Sequence, residues 1–120
     1  MKISIALLLV LFFQHSVAGV LVTEDYRLEI NQNCSDIESK CKELSLTIIE
    51  RDNSNIKDTA KGQASKISSA IRKNSLCDYF IYEFQSGAVT YYICEANRFE
   101  VYIDAKHDPF YSKEGVWNGT

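Results

Sequence analysis

The amino-acid sequence predicts an α+β fold in which two helices pack on one face of a small antiparallel sheet. Two observations carry this prediction. Apolar residues recur every three or four positions between residues 35 and 73, and every second position between residues 78 and 103. The first spacing is typical of helices and the second of half-buried strands. The predicted order is therefore a strand, two helices and a three-stranded meander, with the helices segregated on one face of the sheet.

The first predicted strand covers residues 26–30, where apolar and polar side chains alternate. Ser35 and Glu38 then form a capping box that opens the first helix. The apolar face of this helix repeats at intervals of four, three and four residues: Ile37, Cys41, Leu44 and Ile48.

The second predicted helix follows a polar break at residues 52–55. Asp58 near its start and Arg72 and Lys73 at its end have the charge order that a helix dipole prefers. Asn74 suits the left-handed position that ends a helix. The apolar side of this helix is Ile56, Ala60, Ala64, Ile67 and Ile71.

The predicted meander has two turns, at Ser86-Gly87 and at Ala96-Asn97. Its alternating apolar residues are Phe80, Tyr82 and Phe84, then Val89, Tyr91 and Ile93, then Phe99, Val101 and Ile103. This pairing puts Cys94 on the opposite face from the apolar residues of the first two strands. A bulge near Cys94, or a first helix that wraps over the end of the sheet, would resolve the conflict.

The N-terminus has the layout of a secretory signal peptide. Lys2 gives a positive start, an apolar run covers residues 3–13, and Ser16 and Ala18 are the small residues that precede a cut before Gly19. The run is too short to cross about 30 Å of hydrocarbon comfortably as a helix. We therefore expect a secreted protein with no stable membrane insertion after cleavage.

These features divide the chain into residues 1–18 as the signal peptide, residues 19–104 as one α+β domain and residues 105–120 as an irregular C-terminal tail. A chain of 120 residues supports a single domain. Its 13 Lys and Arg residues against 16 Asp and Glu residues give a net charge of −3, which offers no electrostatic footprint for nucleic acid.

The four cysteines of a secreted chain predict two disulfides, because extracellular thiols are oxidised. Their spacing is too wide for the close pairs of a zinc site. Within a helix, Cys34 and Cys41 would lie about 10 Å apart along the axis, and a disulfide needs Cα atoms within about 7 Å. Each is therefore expected to pair with Cys77 or Cys94, in either of two combinations. Pairing of Cys34 with Cys41 requires that the first helix starts late.

The catalytic inventory is small. His107 is the only histidine outside the predicted signal peptide, and no Gly-x-Ser-x-Gly turn is present. A ribonuclease-like set of Glu83, Arg98 and His107 would lack a second histidine. Glu83 with Glu95 or Glu100 has the residue types of a glycosidase pair, but surface acids on a strand look the same. We expect no enzymatic activity, no cofactor and no metal site.

Binding is the expected mode of action. Phe110, Tyr111 and Trp117 are candidate binding residues, because aromatic side chains are enriched at interface hot spots. Asn33 and Asn118 each begin a glycosylation sequon.

Between residues 34 and 103, an amphipathic segment precedes a cysteine-bounded, tyrosine-rich hairpin that ends in Tyr91-Tyr92-Ile93-Cys94. This arrangement resembles small secreted, disulfide-linked α/β proteins of yeasts, some of them killer-toxin-like. The topology also resembles cystatin-type protease inhibitors, although the hairpin reads Gln85-Ser86-Gly87-Ala88-Val89 and lacks the inhibitory Gln-x-Val-x-Gly.

The sequence therefore predicts a secreted, disulfide-stabilised, effector-like or toxin-like protein that binds an extracellular protein or a cell-surface target. A cystatin-like protease inhibitor is the alternative, and a small secreted hydrolase such as a ribonuclease is a further one.

Overall fold

The computed structural model, which describes residues 15–33 and 43–118, is built almost entirely of antiparallel β-strands. The described residues form nine strands: β1 (His15–Val22), β2 (Tyr26–Asn33), β3 (Leu44–Glu50), β4 (Ile56–Ser68), β5 (Tyr79–Ser86), β6 (Val89–Cys94), β7 (Arg98–Ile103), β8 (Tyr111–Glu114) and β9 (Val116–Trp117). Between β4 and β5, residues Ser69–Ile71 form a short 3-10 helix.

The strands form one sheet in the order β8-β7-β6-β5-β4-β3-β2-β1-β9. Only Gly115 separates β8 from β9, yet β8 pairs with β7 and β9 pairs with β1 at the other edge of the sheet. This C-terminal segment therefore turns the meander into a nearly closed barrel. Gly115 is required at the junction, because a Cβ there would lie 2.6 Å from the carbonyl oxygen of Val22.

The predicted α+β class is wrong, and both predicted helices are strands in the described residues. In β3, Leu44, Leu46 and Ile48 are buried and their neighbours are half-buried, which is the strand period. Leu44 and Ile48 stand four residues apart, and residues four apart share a face in a strand as well as in a helix. The capping box at Ser35 and Glu38 lies outside the described residues.

The second predicted helix corresponds to β4, and its apolar side is not a buried face. Only Ala60 of that side is buried, while Ile56 is 63% exposed. The inward positions of β4 carry Asp58, Ala60 and Gly62, so the strand has almost no apolar alternation to detect. Pairing and packing with the neighbouring strands hold β4 in the sheet. These tertiary contacts outweigh the local propensity of its sequence.

The predicted meander is present as β5, β6 and β7, and residues 26–30 lie within β2. The β5–β6 ladder shifts register between Phe80 and Tyr82, so that Phe80 pairs with Cys94. This is the bulge near Cys94 that the sequence allowed. The predicted irregular tail is wrong in part, because residues 105–120 include the two strands that close the barrel.

Two apolar clusters fill the structure. The larger lies inside the barrel, and its fully buried members include Leu21, Leu28, Ile30, Leu46, Phe84, Ile93 and Phe99. The smaller lies on the outer face of β5–β7 and contains Cys77, Phe80, Tyr92, Cys94 and Tyr102. Residues 69–78, which we call the strap, supply Cys77 to this outer cluster. In the part of the chain that the structure describes, no helix has the length and hydrophobicity to cross a membrane.

Candidate functional site

One end of the barrel opens into a pocket of about 280 Å³. This end, which we call the mouth, carries the β1–β2, β3–β4 and β5–β6 turns and the β7–β8 loop. Strands β2, β3, β4, β6, β7 and β8 and the end of that loop contribute to the pocket wall. The lining residues are Tyr26, Ile48, Lys57, Asp58, Val89, Tyr91, Phe99, Val101, Ile103, Phe110 and Tyr111.

Aromatic rings dominate the wall of the pocket. Tyr26 and Tyr111 meet edge to face with ring centroids 5.1 Å apart, and Tyr91 stacks with Phe99 at 5.9 Å. Phe99 joins the two pairs, because it also lies 5.8 Å from Tyr111 and 6.3 Å from Tyr26. Such contacts favour fixed ring positions. Phe110 adds an exposed ring.

Asp58 brings a carboxylate into this aromatic wall. Its Oδ2 accepts a hydrogen bond from the Tyr91 hydroxyl at 2.5 Å, and its Oδ1 accepts from Ser86 Oγ at 3.1 Å and from the Thr59 amide at 2.8 Å. Burial, followed by the bond to Asp58, raises the pKa of Tyr91 well above its ordinary value. Tyr91 is therefore a neutral donor at physiological pH, and the three bonds fix the carboxylate in place.

Lys57 also lines the pocket, although it is the immediate neighbour of Asp58. In a regular strand these two side chains would point to opposite faces. The β3–β4 ladder shifts register here, since Ile48 pairs with Asp58 and Ile49 pairs with Ile56. Lys57 is the extra residue of this bulge, and bulges re-aim side chains in this way. The pocket thus carries a half-buried acid and an exposed base.

Tyr111 fastens the pocket wall to the β1–β2 turn. Its hydroxyl donates to Asp25 Oδ2 at 2.8 Å and lies 3.0 Å from Thr23 Oγ1. Burial, with a further contribution from the Asp25 carboxylate, raises the pKa of Tyr111 to about 12.

The structure brings together two of the three aromatic residues that the sequence singled out for binding. Phe110 and Tyr111 both line the pocket, but Trp117 does not. The Trp117 ring packs against Gly19, and its Nε1 donates to Asn97 Oδ1 at 2.8 Å. Trp117 therefore lies by the β6–β7 turn, at the opposite end of β6 from Ser86-Gly87. The shared inhibitory edge of a cystatin is not formed.

The candidate catalytic residues are dispersed. His107 is exposed, and its Nδ1 accepts a hydrogen bond from the Lys73 amide. Arg98 contacts Ser112 and Glu114. None of the hydrogen bonds or ion pairs between described residues joins His107, Arg98 and Glu83 to one another.

The candidate carboxylate pair is not a matched acid and base. Glu100 is fully buried and accepts four hydrogen bonds, whereas Glu95 is exposed in the β6–β7 turn. Glu83 lies two strands from Glu100 in the same cross-strand row.

The structure also tests the cysteine pairing. Cys77 is bonded to Cys94, with Cα atoms 6.0 Å apart, so both combinations that joined them to Cys34 and Cys41 are wrong. Cys34 and Cys41 themselves lie outside the described residues. Cys77, Cys94 and Glu100 approach one another closely enough for a metal ion, but both sulfur atoms are already consumed by the disulfide.

The asparagines of the two sequons lie at strand ends. Asn33 is the last residue of β2, and Asn118 is exposed just after β9, where its amide donates to the Val20 carbonyl.

Sequence reasoning missed the polar half of the site. The sequence pattern places Asp58 near the start of a helix, and it gives Tyr91 and Phe99 only as alternating apolar residues of the meander. Asp58 can be assigned to an inward position only when β4 is recognised as a strand. Comparisons with protein-family models, curated proteins and solved structures found no match. The fold and site define a meander barrel with an aromatic pocket at its mouth.

Proposed function

We propose that this protein is a secreted binding protein that takes one small organic molecule into the mouth of its barrel. The observation that carries the proposal is the pocket of about 280 Å³, with aromatic walls and one fixed carboxylate. Small-molecule sites are typically apolar clefts with a few precisely placed polar groups. A barrel of about eight strands has room inside for packed side chains or for one small ligand.

Secretion is supported by the N-terminal sequence and is compatible with the Cys77–Cys94 disulfide, because disulfides persist in oxidising compartments. The proposed action is binding and not catalysis, because the catalytic candidates His107, Arg98, Glu83 and Glu100 do not line the pocket. An effector-like or toxin-like role would follow from sequestering or delivering the bound molecule.

A second candidate function is the docking of the mouth onto an extracellular protein or a cell-surface target. Phe110 is 73% exposed beside the pocket, and Ile56 is 63% exposed next to Lys57. Phe110 also lines the pocket, and an exposed aromatic ring in such a position is typical of interface hot spots.

The test is a titration of the secreted protein with a neutral, environment-sensitive dye such as Nile red. We expect saturable binding of one dye molecule per chain. Ile103→Trp places a larger side chain in the pocket. The dye would lose apolar contact with the wall, so binding should weaken by about tenfold or more. Leu76→Trp, on the exposed strap, should leave binding unchanged. Absence of saturable binding, or equal losses in both variants, would contradict the proposal.

A further inference from the structure

We propose that the ligand is a small organic cation, an amine or quaternary ammonium group on an apolar body, with Asp58 as its counter-ion. This inference rests on the proposed function and specifies the chemistry of the same pocket.

The Asp58 carboxylate has unused hydrogen-bonding capacity. A carboxylate has about four acceptor positions, and three on Asp58 are occupied, by Tyr91, Ser86 and the Thr59 amide. All three donors are neutral. Among the ion pairs of residues 15–33 and 43–118, none includes Asp58. The pocket therefore presents a fixed, half-buried negative charge that its own protein partners leave without a counter-ion.

Aromatic rings line the pocket together with that charge. Tyr91 connects Asp58 directly to the stack with Phe99, and Tyr26 and Tyr111 extend the same aromatic cluster. Ring faces attract cations through their quadrupole, and the attraction increases when the cation is desolvated. A carboxylate among aromatic rings is thus complementary to an ammonium group that enters with its apolar body.

The charges at the mouth favour a cationic ligand over an anionic one. Asp58 and, behind Tyr111, Asp25 place negative charge at the mouth, and the whole chain has a net charge of −3. An anionic ligand would have to approach these groups. Among the described residues that line the pocket, Lys57 is the only base; it is exposed and forms no ion pair with Asp58. It would repel a cation weakly from a solvated position, so its removal should help an amine and harm a carboxylate.

The experiment uses displacement of the neutral dye by three probes with the same phenyl body: 2-phenylethylamine, 2-phenylethanol and phenylacetate. At pH 7 we expect the amine to bind about tenfold more tightly than the alcohol, and phenylacetate to bind most weakly. Asp58→Asn should remove the preference for the amine, so that the amine and the alcohol bind with similar affinity. Lys57→Gln removes the opposite charge from the same pocket wall, so it should strengthen the amine and weaken phenylacetate.

A measurement on the unsubstituted protein tests the inference even if Asp58→Asn fails to fold. Added salt screens charge attraction, so raising the ionic strength should weaken the amine and leave the alcohol unaffected. If the dye binds but the amine has no advantage, or if salt and Asp58→Asn change all probes equally, the cation inference is wrong and the pocket function stands. If neither dye nor probe binds, both fail.

Discussion

Glu100 shows how one buried carboxylate can fasten a loop to a sheet. Its Oε1 accepts hydrogen bonds from Ser75 Oγ at 2.6 Å and Tyr102 OH at 2.7 Å, and its Oε2 accepts from the Leu76 amide at 3.0 Å and Ser112 Oγ at 2.7 Å. Two of these donors belong to the strap and two to the sheet. A buried charge is tolerated where hydrogen bonds satisfy it, and here they tie the strap to β7 and β8.

We predict that Glu100→Gln lowers the free energy of unfolding by about 2 kcal/mol, because the amide nitrogen would face donors and leave a buried polar group unsatisfied. Urea denaturation, monitored by tryptophan fluorescence, measures the change. Glu95→Gln alters the same residue type in an exposed turn and should be neutral. Equal stability of the Glu100→Gln variant and the unchanged protein would show that the four bonds contribute little.

Arg72 supports the same loop through its guanidinium group. It lies over the Tyr102 ring at 4.7 Å and the Tyr92 ring at 5.7 Å, and its Nη1 donates to the carbonyl oxygens of Asp104 and Lys106. The strap is thereby joined to the β7–β8 loop, which ends in the pocket residue Phe110. Arginine suits this position, because its planar fork can stack on rings while it donates at the edge.

At the scale of elements, β4 explains why the sequence pattern predicts the wrong fold class. The meander of β5–β7 was predicted because its rings alternate along each strand. In β4, the inward residues Asp58, Ala60 and Gly62 provide no apolar alternation, while Ile56 and Ile67 happen to fit the helical period. Closure by β8 and β9 was equally hidden, because strands of four and two residues are too short to show a period.

Gly62 marks a place where two strand backbones come unusually close. A Cβ on Gly62 would overlap the carbonyl oxygen of Glu83 and lie 2.7 Å from the Cα atom of Phe84. Both neighbours are backbone atoms of β5, so they cannot move without disturbing the ladder. Glycine inside a strand is typical of such close approaches and of barrel corners.

We predict that Gly62→Ala destabilises the protein by about 3 kcal/mol, at the upper end of the cost of overpacking. Gly87→Ala is the control. Gly87 has a φ of +60° and no atom within 4 Å of an added Cβ, so its cost is the local backbone strain of about 1 kcal/mol. Thermal unfolding of the two variants compares these costs. A smaller effect at Gly62 than at Gly87 would contradict the close approach of β4 and β5.

For the whole molecule, the candidate site arises from distant parts of the sequence. Phe110 and Tyr111 could be selected from composition alone, because aromatic residues in a supposed tail are unusual. Asp58 could not, because its neighbours in the pocket come from strands that closure brings together. A bulge that re-aims Lys57 leaves no mark in the residue pattern. The sequence therefore favoured binding over catalysis, but the position and chemistry of the binding site required the barrel.

The pairing of β1 predicts how removal of the expected signal peptide affects the barrel. The expected cut before Gly19 falls inside β1, at the register shift between Val17 and Gly19. Both pairs that join β1 to β9, Leu21 with Trp117 and Val22 with Val116, lie after the cut. The pairs that the cut removes connect only to the far end of β2, at residues 31–33. Cleavage should therefore preserve the closure of the barrel.

We predict that the secreted protein begins at Gly19, and that it retains the Cys77–Cys94 bond and the dye-binding mouth. N-terminal sequencing, non-reducing peptide mapping and the dye titration test these three points on one preparation. As a control, Ala18→Arg places a large charged residue before the cut and should block processing, because signal peptidase sites require small residues there. Secreted protein that begins elsewhere, or a peptide that links Cys77 or Cys94 to Cys34 or Cys41, would contradict this account. Loss of dye binding in protein correctly cut at Gly19 would instead show that residues 15–18 are needed to hold β1 in the barrel.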